Sequence, residues 1–392
     1  MMSFKSELLQ NRYAAFEKFR TLSPFYDEEL ASHIFLNFDE VMLTLKEPSL
    51  SSDRKRQQFQ SVSQCPFSAP LIDFYGQWLM YMDGEAHLEA RKLIAVALSK
   101  ASKNVEEIVD RCFQHCLKKV LPQSGKSQDL AANFAVPLVT SVLAAVFGIS
   151  SERYSQIIEI SKPVVMFLGN GDVGDKEQRK RVIVSLQETH AVLLSCIDEC
   201  TDPESVIGHL LQKNVAITDI TPLLINIVID GYDPLLAAVN VYLLKLSQGL
   251  LPSDSLKSGQ VFDEVVRLET PFQYCARIAT EDIRLGNYAI RKGERIMSFI
   301  SAANRDPEYF PLPDEILLRE QKFKNISFGA GKHVCPGGNM TKKIAIRLFD
   351  LLSLAQNRVT IVYLGEKWTD TFGFRFLKHL AVEVQTTENK VL

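Results

Sequence analysis

Long apolar runs, a secretory signal and a strong net charge are all missing from this 392-residue chain. No uninterrupted apolar stretch reaches about 18 residues, the minimum length that marks a candidate membrane-spanning helix. The first stretch, MMSFKSELLQNRYAAFEKFRTLSP, has no apolar core of the kind that signal peptides carry. The formal net charge of −3 gives no general attraction to nucleic acid. We therefore expect a cytoplasmic protein with no membrane anchor and no nucleic-acid partner.

A disulfide framework is missing as well, because the seven cysteines are odd in number and show no framework spacing. Without a secretory signal they are expected to be reduced thiols. Two pairs lie four residues apart: Cys112 and Cys116, with His115 between them, and Cys196 and Cys200. Such a spacing is compatible with metal binding, but a closed zinc site needs four ligands and neither pair has a second cluster. Packing inside helices is the preferred interpretation.

Apolar residues, in contrast, are plentiful: 46% of the chain is hydrophobic and 23% is charged, which suffices for a large core. Helices are predicted wherever apolar positions recur three and four apart, as they do over residues 39–46, 88–101, 104–121 and 221–247. The last of these is apolar on all sides, so it should be buried. Strand-like segments are few and short: 33–38, 288–300, 359–364 and 381–387. We predict a mainly α-helical fold with small β-sheets, forming a single domain over residues 1–392.

One segment, FGAGKHVCPGG at residues 328–338, places a single cysteine among four glycines. It is not a phosphate-binding P-loop, because Ile326 and His333 stand where that motif needs Gly and Ser or Thr. Cys335 is followed by Pro336 and a helical pattern, so the thiolate would face the positive end of a helix dipole and nearby N–H groups. Both effects are expected to lower its pKa. The glycines let the backbone approach a flat, bulky partner closely. The pattern favours a thiolate ligand to a metal or cofactor, with a buried packing cysteine as the alternative.

The same segment resembles the heme-binding loop of the cytochrome P-450 monooxygenases, Phe-Gly-x-Gly-x-His-x-Cys-x-Gly. Every defined position of that motif is filled in register, by Phe328, Gly329, Gly331, His333, Cys335 and Gly337. Upstream, Glu264 and Arg267 resemble the family's Glu-x-x-Arg pair. The segment AANRDPEYFPLPDEI is similar to the one that supplies the third member of that ion-pair triad, which we expect to be Arg305. The likeness extends over roughly residues 20 to 385.

The resemblance implies the cytochrome P-450 fold, with heme b held between a long central helix and the helix that follows the cysteine loop. Cys335 is then the axial thiolate ligand of the iron. Further family segments nominate His87, Arg91 and Arg277, together with His333, as groups that bind the heme propionates. Cationic and hydrogen-bonding side chains are a sensible complement to two carboxylates. An axial thiolate favours O–O cleavage, so the implied activity is oxidation of a substrate by dioxygen.

The central helix departs from the family at one position. The family pattern Ala-Gly-x-Asp/Glu-Thr reads Asp230, Gly231, Tyr232, Asp233, Pro234 here, so proline replaces the threonine that assists proton delivery. Proline has no hydroxyl and no N–H, so the helix is expected to kink. One hypothesis is that water or a substrate hydroxyl delivers protons, with Asp233 as the nearby acid and Asp230 beside it. The alternative is that Pro234 only enforces a bend and that the oxygen or peroxide chemistry is altered.

Partners also follow from the resemblance. No flavin-binding or iron–sulfur pattern is present, so a ferredoxin or flavodoxin with its reductase is implied as electron donor. Four cations lie near the cysteine loop: Lys332, Lys342, Lys343 and Arg347. They are interpreted either as a basic docking face for such an acidic carrier or as an ordinary solvated helix face.

The substrate is expected to be a hydrophobic small molecule, free or tethered to a carrier protein, in specialised metabolism. Apolar loops at 63–76 and 162–175 are candidate contact segments. Within and beside them we nominate a pocket wall, for which plain packing is the alternative: Phe74, Tyr75, Phe167 and Leu168. A degenerate heme-binding module that recruits other proteins, rather than an enzyme, is a further alternative that Pro234 favours weakly.

Overall fold

The structure is a computed structural model that describes residues 3–54, 74–121, 125–170, 175–213, 215–252, 257–320, 322–356 and 359–386, apart from the side chains of 168–170 and 370. Its helices, in chain order, are α1 Phe4–Gln10, α2 Arg12–Arg20, α3 Phe38–Lys46, α4 Gly84–Ala101, α5 Val105–Val120, α6 Val136–Phe147, α7 Ser151–Asn170, α8 Lys176–Glu199, α9 Val206–Leu211, α10 Ile217–Ser247, α11 Ser258–Leu268, α12 Ile300–Ala303 and α13 Gly338–Ala355. Its strands are β1 Phe25–Asp27, β2 Ser32–Phe35, β3 Leu50–Ser51, β4 Ser127–Asp129, β5 Cys275–Ala279, β6 Ile283–Leu285, β7 Tyr288–Ile290, β8 Arg295–Ser298, β9 Val359–Asp370 and β10 Arg375–Thr386. The prediction of a mainly helical fold with small sheets is confirmed.

The central element is α10, which contacts α6, α7, α8, α11 and α13 as well as β9 and β10. Its apolar residues occur on every side, and most are buried, among them Leu224, Val228 and Val239. It has the length and apolarity of a membrane span, yet 67% of its most apolar window is buried inside the fold. A bent pair, Ala131–Phe147 with Ser151–Phe167, passes the same test only if it is counted as one span. The contacts of α10 are those of a core helix.

Proline does not end α10. Both Pro222 and Pro234 lie inside it, and the helix continues from Ile217 to Ser247. Pro234 has no N–H to donate to the carbonyl of Asp230, so the helix lacks that backbone hydrogen bond. The surrounding helices and sheet hold α10 continuous across that position.

Three small sheets flank the helices. The largest has the strand order β1-β2-β8-β5-β3, in which only the β2–β8 pair is parallel. The others are β4-β10-β9 and the hairpin β6-β7. Strand β5 places Arg277 opposite Ile296 of β8.

Candidate active site

The cysteine loop is a tight turn closed by its own backbone. The N–H of Cys335 donates to the carbonyl of Phe328 at 2.8 Å, and the N–H of Val334 donates to the carbonyl of Gly331 at 3.2 Å. Gly331 has φ +71°, and a Cβ there would lie 2.7 Å from the carbonyl oxygen of Leu45. Only glycine fits that close approach, because a side chain would strike backbone rather than a movable group. The loop is thereby fixed against the end of α3.

The thiol of Cys335 combines two properties that seldom occur together. Its side chain is exposed by area, yet burial raises the pKa of the thiol. A side chain meets both conditions when it faces an enclosed cleft instead of bulk solvent. Backbone N–H groups of Gly337 and Gly338 act in the opposite direction and lower the pKa. The expectation of a lowered pKa was therefore wrong for the free thiol: the donors are present, but desolvation outweighs them.

Two histidines meet beside this loop. The ring centroids of His87, on α4, and His333 lie 4.2 Å apart, and His87 is only 1% exposed. Burial lowers the pKa of His87 to about 4, with the neighbouring His333 and Arg91 adding to the effect. Nε2 of His333 lies 3.2 Å from Oδ1 of Asp83. Both predicted histidines are thus at one place, and Asp83, which the sequence analysis missed, orients one of them.

Arg277 is a buried cation with little to neutralise it. Its exposed fraction is 5%, and within the described part of the chain its one hydrogen bond runs from Nη1 to the carbonyl of Ala276 at 2.8 Å. Arg54 donates to the same carbonyl at 3.0 Å, so two guanidinium groups converge there. Burial lowers the pKa of Arg277, as expected of a cation without a bound anion. Nothing in the sequence had marked Arg54.

These observations test whether the residues fit a heme. A thiol faces an enclosed cleft, and the charges of Arg91 and Asp230 both act on it. A buried arginine has no carboxylate partner among the described residues, and buried charges normally have one. Two propionates would supply the missing anions and an iron the missing electrophile for the thiol. The donor set fits the group.

The Glu-x-x-Arg pair is buried and bidentate. Nε and Nη2 of Arg267 lie 2.7 and 2.9 Å from the two carboxylate oxygens of Glu264. The remaining donors of Arg267 reach backbone carbonyls of Asn304, Pro313 and Glu315. This pair ties α11 to the segment that leads to the cysteine loop.

The third member of the triad is Arg319, so the prediction of Arg305 was wrong. Nε of Arg319 donates to Oε2 of Glu264 at 2.9 Å. Arg305 turns to the end of α11, where it donates to the carbonyl of Leu268 and pairs with Glu269 at 3.5 Å. A cation at a helix C-terminus is favourable, which accounts for the place of Arg305. Both arginines lie between Glu264 and Cys335 in the chain, and nothing in their spacing identifies which one contacts Glu264.

On α10, Asp230 and Asp233 have different neighbours. Nδ2 of Asn226 donates to Oδ2 of Asp230, and Oδ1 of Asn226 accepts from the N–H of Leu79 at 3.3 Å. Burial raises the pKa of Asp230 to about 7, with the Asn226 hydrogen bond opposing and Asp233 adding to the rise. Burial raises the pKa of Asp233 to about 6, and Lys162 of α7 opposes that shift. Asn226 had no signal in the sequence other than its spacing of four from Asp230.

Gly231 and Pro234 are both half-buried. A Cβ on Gly231 would meet no described atom within 4 Å, so packing against this chain does not require glycine there. Pro234 follows Asp233 and offers no hydroxyl at the position where the family has threonine. The polar groups of this part of α10 are therefore carboxylates and an amide.

The residues nominated as a pocket wall differ in how deeply they are buried. Tyr75 and Phe167 are buried at 0% and 2% exposure, and their rings stack at 6.3 Å, which is the plain-packing alternative. Phe74 is half-buried and lies edge-on to Trp78. The side chain of Leu168, residues 63–73 and residues 171–174 lie outside the described part of the chain.

Three of the four cations considered as a docking face, with a solvated helix face as the alternative, already have carboxylate partners. Lys332 pairs with Asp83 at 3.1 Å, Lys342 with Asp263 at 2.7 Å and Arg347 with Asp110 at 2.6 Å. Lys343 is exposed and has no ion pair with a described residue. The positive field of this face is consequently weaker than a count of its cations suggests.

The paired cysteines are packing residues. Cys116 and Cys196 are buried, and Cys112 and Cys200 are half-buried. Burial raises the pKa of the Cys116 thiol to about 11. In the described residues no group of three or more His, Cys, Asp or Glu side chains is placed to hold a metal ion. Cys65 lies outside them.

Comparison with known proteins agrees with the loop and the fold. The family model described as Cytochrome P450 matches residues 259–348. The biotin biosynthesis cytochrome P450 of Bacillus subtilis (strain 168) is 23% identical, covering 96% of this chain and 97% of the relative. The crystal structure of P450BioI in complex with an acyl carrier protein bearing hexadec-9Z-enoic acid superposes with a TM-score of 0.84 at 22% identity, over 96% of this chain and 99% of that one. Epothilone D-bound cytochrome P450epoK superposes at 0.82 and 20% identity, over 96% and 97%. The predicted fold is confirmed.

Proposed function

We propose that this chain is a member of the cytochrome P450 family and a heme-thiolate monooxygenase that oxidises a hydrophobic small molecule, with Cys335 as the ligand of the iron. The observation that carries this proposal is the pairing of a cleft-facing thiol with a buried cation, Arg277, that has no anionic partner in the described residues. The complete loop motif around that thiol supports it.

The roles of the cofactor-binding residues follow from their places. The Cys335 thiolate would hold the iron of heme b, supported by the N–H groups of Gly337 and Gly338. Bound there, the heme would supply dioxygen activation promoted by the electron-rich thiolate. Arg277, with Arg54 beside it, would bind a propionate through charge-assisted hydrogen bonds.

The second group of propionate contacts comes from α4 and the cysteine loop. Arg91 and His87 lie four positions apart on α4, and His333 joins them from the loop. Phe328 packs against Phe262 of α11 at 6.1 Å between centroids, and Gly329 and Gly331 take positive φ values. This packing and these backbone conformations fix the shape of the cysteine loop. The buried Glu264–Arg267–Arg319 triad connects α11 to the chain segment that leads to the loop.

Electrons must come from a separate protein. We propose a ferredoxin or flavodoxin with its reductase, in a cytoplasmic setting, because the chain carries no flavin or iron–sulfur pattern. The acidic carrier would meet the surface of α13, where Lys343 is the cation free of ion pairing within the described residues.

A carrier-tethered substrate is the second candidate. The structure that superposes at a TM-score of 0.84 is one of a P450 with an acyl carrier protein bound. Relatives also include the polyketide biosynthesis cytochrome P450 PksS of Bacillus subtilis and the 6-deoxyerythronolide B hydroxylase of Saccharopolyspora erythraea. These names support a role in bacterial specialised metabolism, with a free or a tethered substrate.

A Soret titration of the purified holoprotein distinguishes the two. The probes are free hexadec-9Z-enoic acid and the same acyl chain on an acyl carrier protein. A low- to high-spin shift with the free acid supports oxidation of free small molecules, whereas a shift with the tethered chain alone supports a tailoring enzyme. A protein that binds no heme overturns the proposal. Heme binding without turnover by any ferredoxin and reductase supports the recruitment-module alternative.

A further inference from the structure

Asn226 has a fixed orientation. The N–H of Leu79 is a donor only, so the atom of Asn226 that it contacts at 3.3 Å must be the amide oxygen. The amide nitrogen then faces Asp230 and donates to Oδ2. Asn226 is 4% exposed, so solvent does not compete for either contact. The segment before α4 therefore determines how a carboxyl group on α10 is held.

This contact decides where a proton can reside on Asp230. Since Oδ2 accepts from Asn226, a protonated Asp230 carries its hydrogen on Oδ1 and can donate from that atom alone. Asp230 is half-buried, and its charge reaches both Cys335 and Tyr75. The carboxyl thus lies within electrostatic range of the thiol.

Asp233 interacts with groups that do not act on Asp230. Residues three apart lie about 60° apart around a helix, so the two carboxyls are near enough for their charges to interact. The further electrostatic neighbours of Asp233 are Lys162 and Tyr154, both on α7, and Tyr232. Tyr154 itself donates to the carbonyl of Val228 at 3.0 Å. Asp233 is thereby associated with the α7 side of the helix.

We propose that Asp230, positioned by Asn226, is the acid that supplies protons to dioxygen reduction in this enzyme, in place of the threonine that Pro234 displaces. The inference rests on the proposed function. The overall reaction joins one oxygen atom to the substrate and reduces the other to water. It consumes two electrons from the redox partner and two protons, which pass from Oδ1 of Asp230. Solvent returns a proton to the carboxylate after each transfer.

The pH behaviour expected of this acid follows from its surroundings. Asp233 on the same helix, Tyr75 from the segment before α4 and Cys335 from the loop are the titratable groups that interact with it, and Arg91 of α4 acts on Cys335. An acid that titrates near neutrality is suited to general acid catalysis at the pH of the cell. The rate should therefore fall as the pH rises through the pKa of Asp230.

Asp230→Asn tests the proposal in the full-length holoprotein, with Asp219→Asn as the matched control because Asp219 is an exposed acid on the same helix. Infrared difference spectra recorded across neutral pH should show a protonated-carboxyl component that titrates at about pH 7 in the wild type and the control, and this component should be absent from Asp230→Asn while that of Asp233, at about pH 6, remains. NADPH consumption with a ferredoxin and its reductase should fall about 100-fold or more in Asp230→Asn. The infrared measurement needs no turnover.

Asn226→Ala tests the positioning role. The Asn226 hydrogen bond lowers the pKa of Asp230, so its loss should move both the infrared titration and the alkaline limb of the rate profile to higher pH. A purely structural role would lower the rate without moving that limb. The proposal is overturned if the carboxyl component that titrates at about pH 7 survives in Asp230→Asn, or if Asp233→Asn abolishes turnover while Asp230→Asn does not. Failure of the proposed function is separate, because it would appear as a wild type without a thiolate-ligated heme.

Discussion

The imidazole rings of His87 and His333 lie 4.2 Å apart between centroids, at an angle of 37°. Asp83 accepts from His333, and it also accepts from the hydroxyl of Ser51 at 2.6 Å and from the N–H of Ser52 at 2.8 Å. Burial alone would raise the pKa of Asp83, but these hydrogen bonds hold it well below its ordinary value. One carboxylate therefore links β3, the start of α4 and the cysteine loop.

His87 should make the heme-free protein sensitive to acid. In the folded chain its pKa is about 4, whereas an unfolded imidazole takes up a proton near pH ~6.5. The unfolding free energy contributed by His87 is thus fully present above pH ~6.5 and is lost as the pH falls toward about 4. Denaturant unfolding of His87→Gln, compared with the wild type at each pH, should lack this loss.

The unfolding free energy of His87→Gln must be subtracted from that of the wild type at each pH, because Asp230 and Asp233 change the pH dependence of stability in the opposite direction to His87. Their pKa values are raised to about 7 and about 6, so their contribution falls as the pH rises. Parallel pH profiles for His87→Gln and the wild type would contradict the assignment of a neutral, buried His87.

Arg277→Met should have opposite effects on the two forms of the protein. A buried cation without an anion destabilises the heme-free chain, so its replacement should raise the unfolding free energy of that form. A charge-assisted hydrogen bond contributes about 1.5–3 kcal/mol, so heme should dissociate about 10- to 150-fold faster. Transfer of heme to apomyoglobin measures the rate. Unchanged dissociation together with a less stable heme-free form would show that Arg277 has only a structural role.

Glu264→Gln should be strongly destabilising. It removes the one carboxylate that contacts both Arg267 and Arg319, leaving two buried cations without an anion. The expected loss in unfolding free energy is about 3–5 kcal/mol. Asp263→Asn, in the same helix, breaks only the partly exposed pair with Lys342 and should cost less than about 1 kcal/mol. Equal losses in the two variants would contradict the triad.

Reduction by a ferredoxin should depend on Lys343 more than on its ion-paired neighbours. Lys343→Gln removes a charge that has no described carboxylate partner, while the double variant Lys342→Gln/Asp263→Asn removes a pair with no change in net charge. Stopped-flow reduction should be slower for the single variant at low ionic strength and should approach the wild-type rate at high salt. Equal rates for both variants would discard the docking face.

The hydroxyl that Pro234 displaces should matter little if Asp230 supplies protons. Pro234→Thr and Pro234→Val both restore a backbone N–H and differ in the hydroxyl alone. The share of consumed dioxygen that is released as hydrogen peroxide should be similar in the two variants. A large drop in peroxide with threonine only would show that the missing hydroxyl limits the enzyme.

The sequence predicted the fold and the cysteine loop well, because both rest on local signals. Helical periodicity identified α4, α5 and α10, and the loop motif is contiguous over ten residues, from Phe328 to Gly337. A long motif of this kind fixes the backbone directly, since Gly331 has no room for a side chain.

The rest depended on contacts between distant segments. Asn226 matters through the N–H of Leu79, which is 147 positions away, and Arg319 through Glu264, 55 positions away. Arg305 and Arg319 are equivalent as sequence signals, and only the path of the chain after α12 separates them. The pKa of the Cys335 thiol was likewise misjudged, because the sequence shows nearby N–H donors but not the desolvation that opposes them.

The most direct test of the heme-thiolate assignment is the Soret spectrum of the ferrous carbon monoxide complex, recorded for the wild type and for Cys335→His. The wild type should show the red-shifted band of thiolate ligation, and the variant should retain heme and lose that band. A wild type that binds heme without the red-shifted band, or a variant whose spectrum is identical to it, would contradict Cys335 as the ligand.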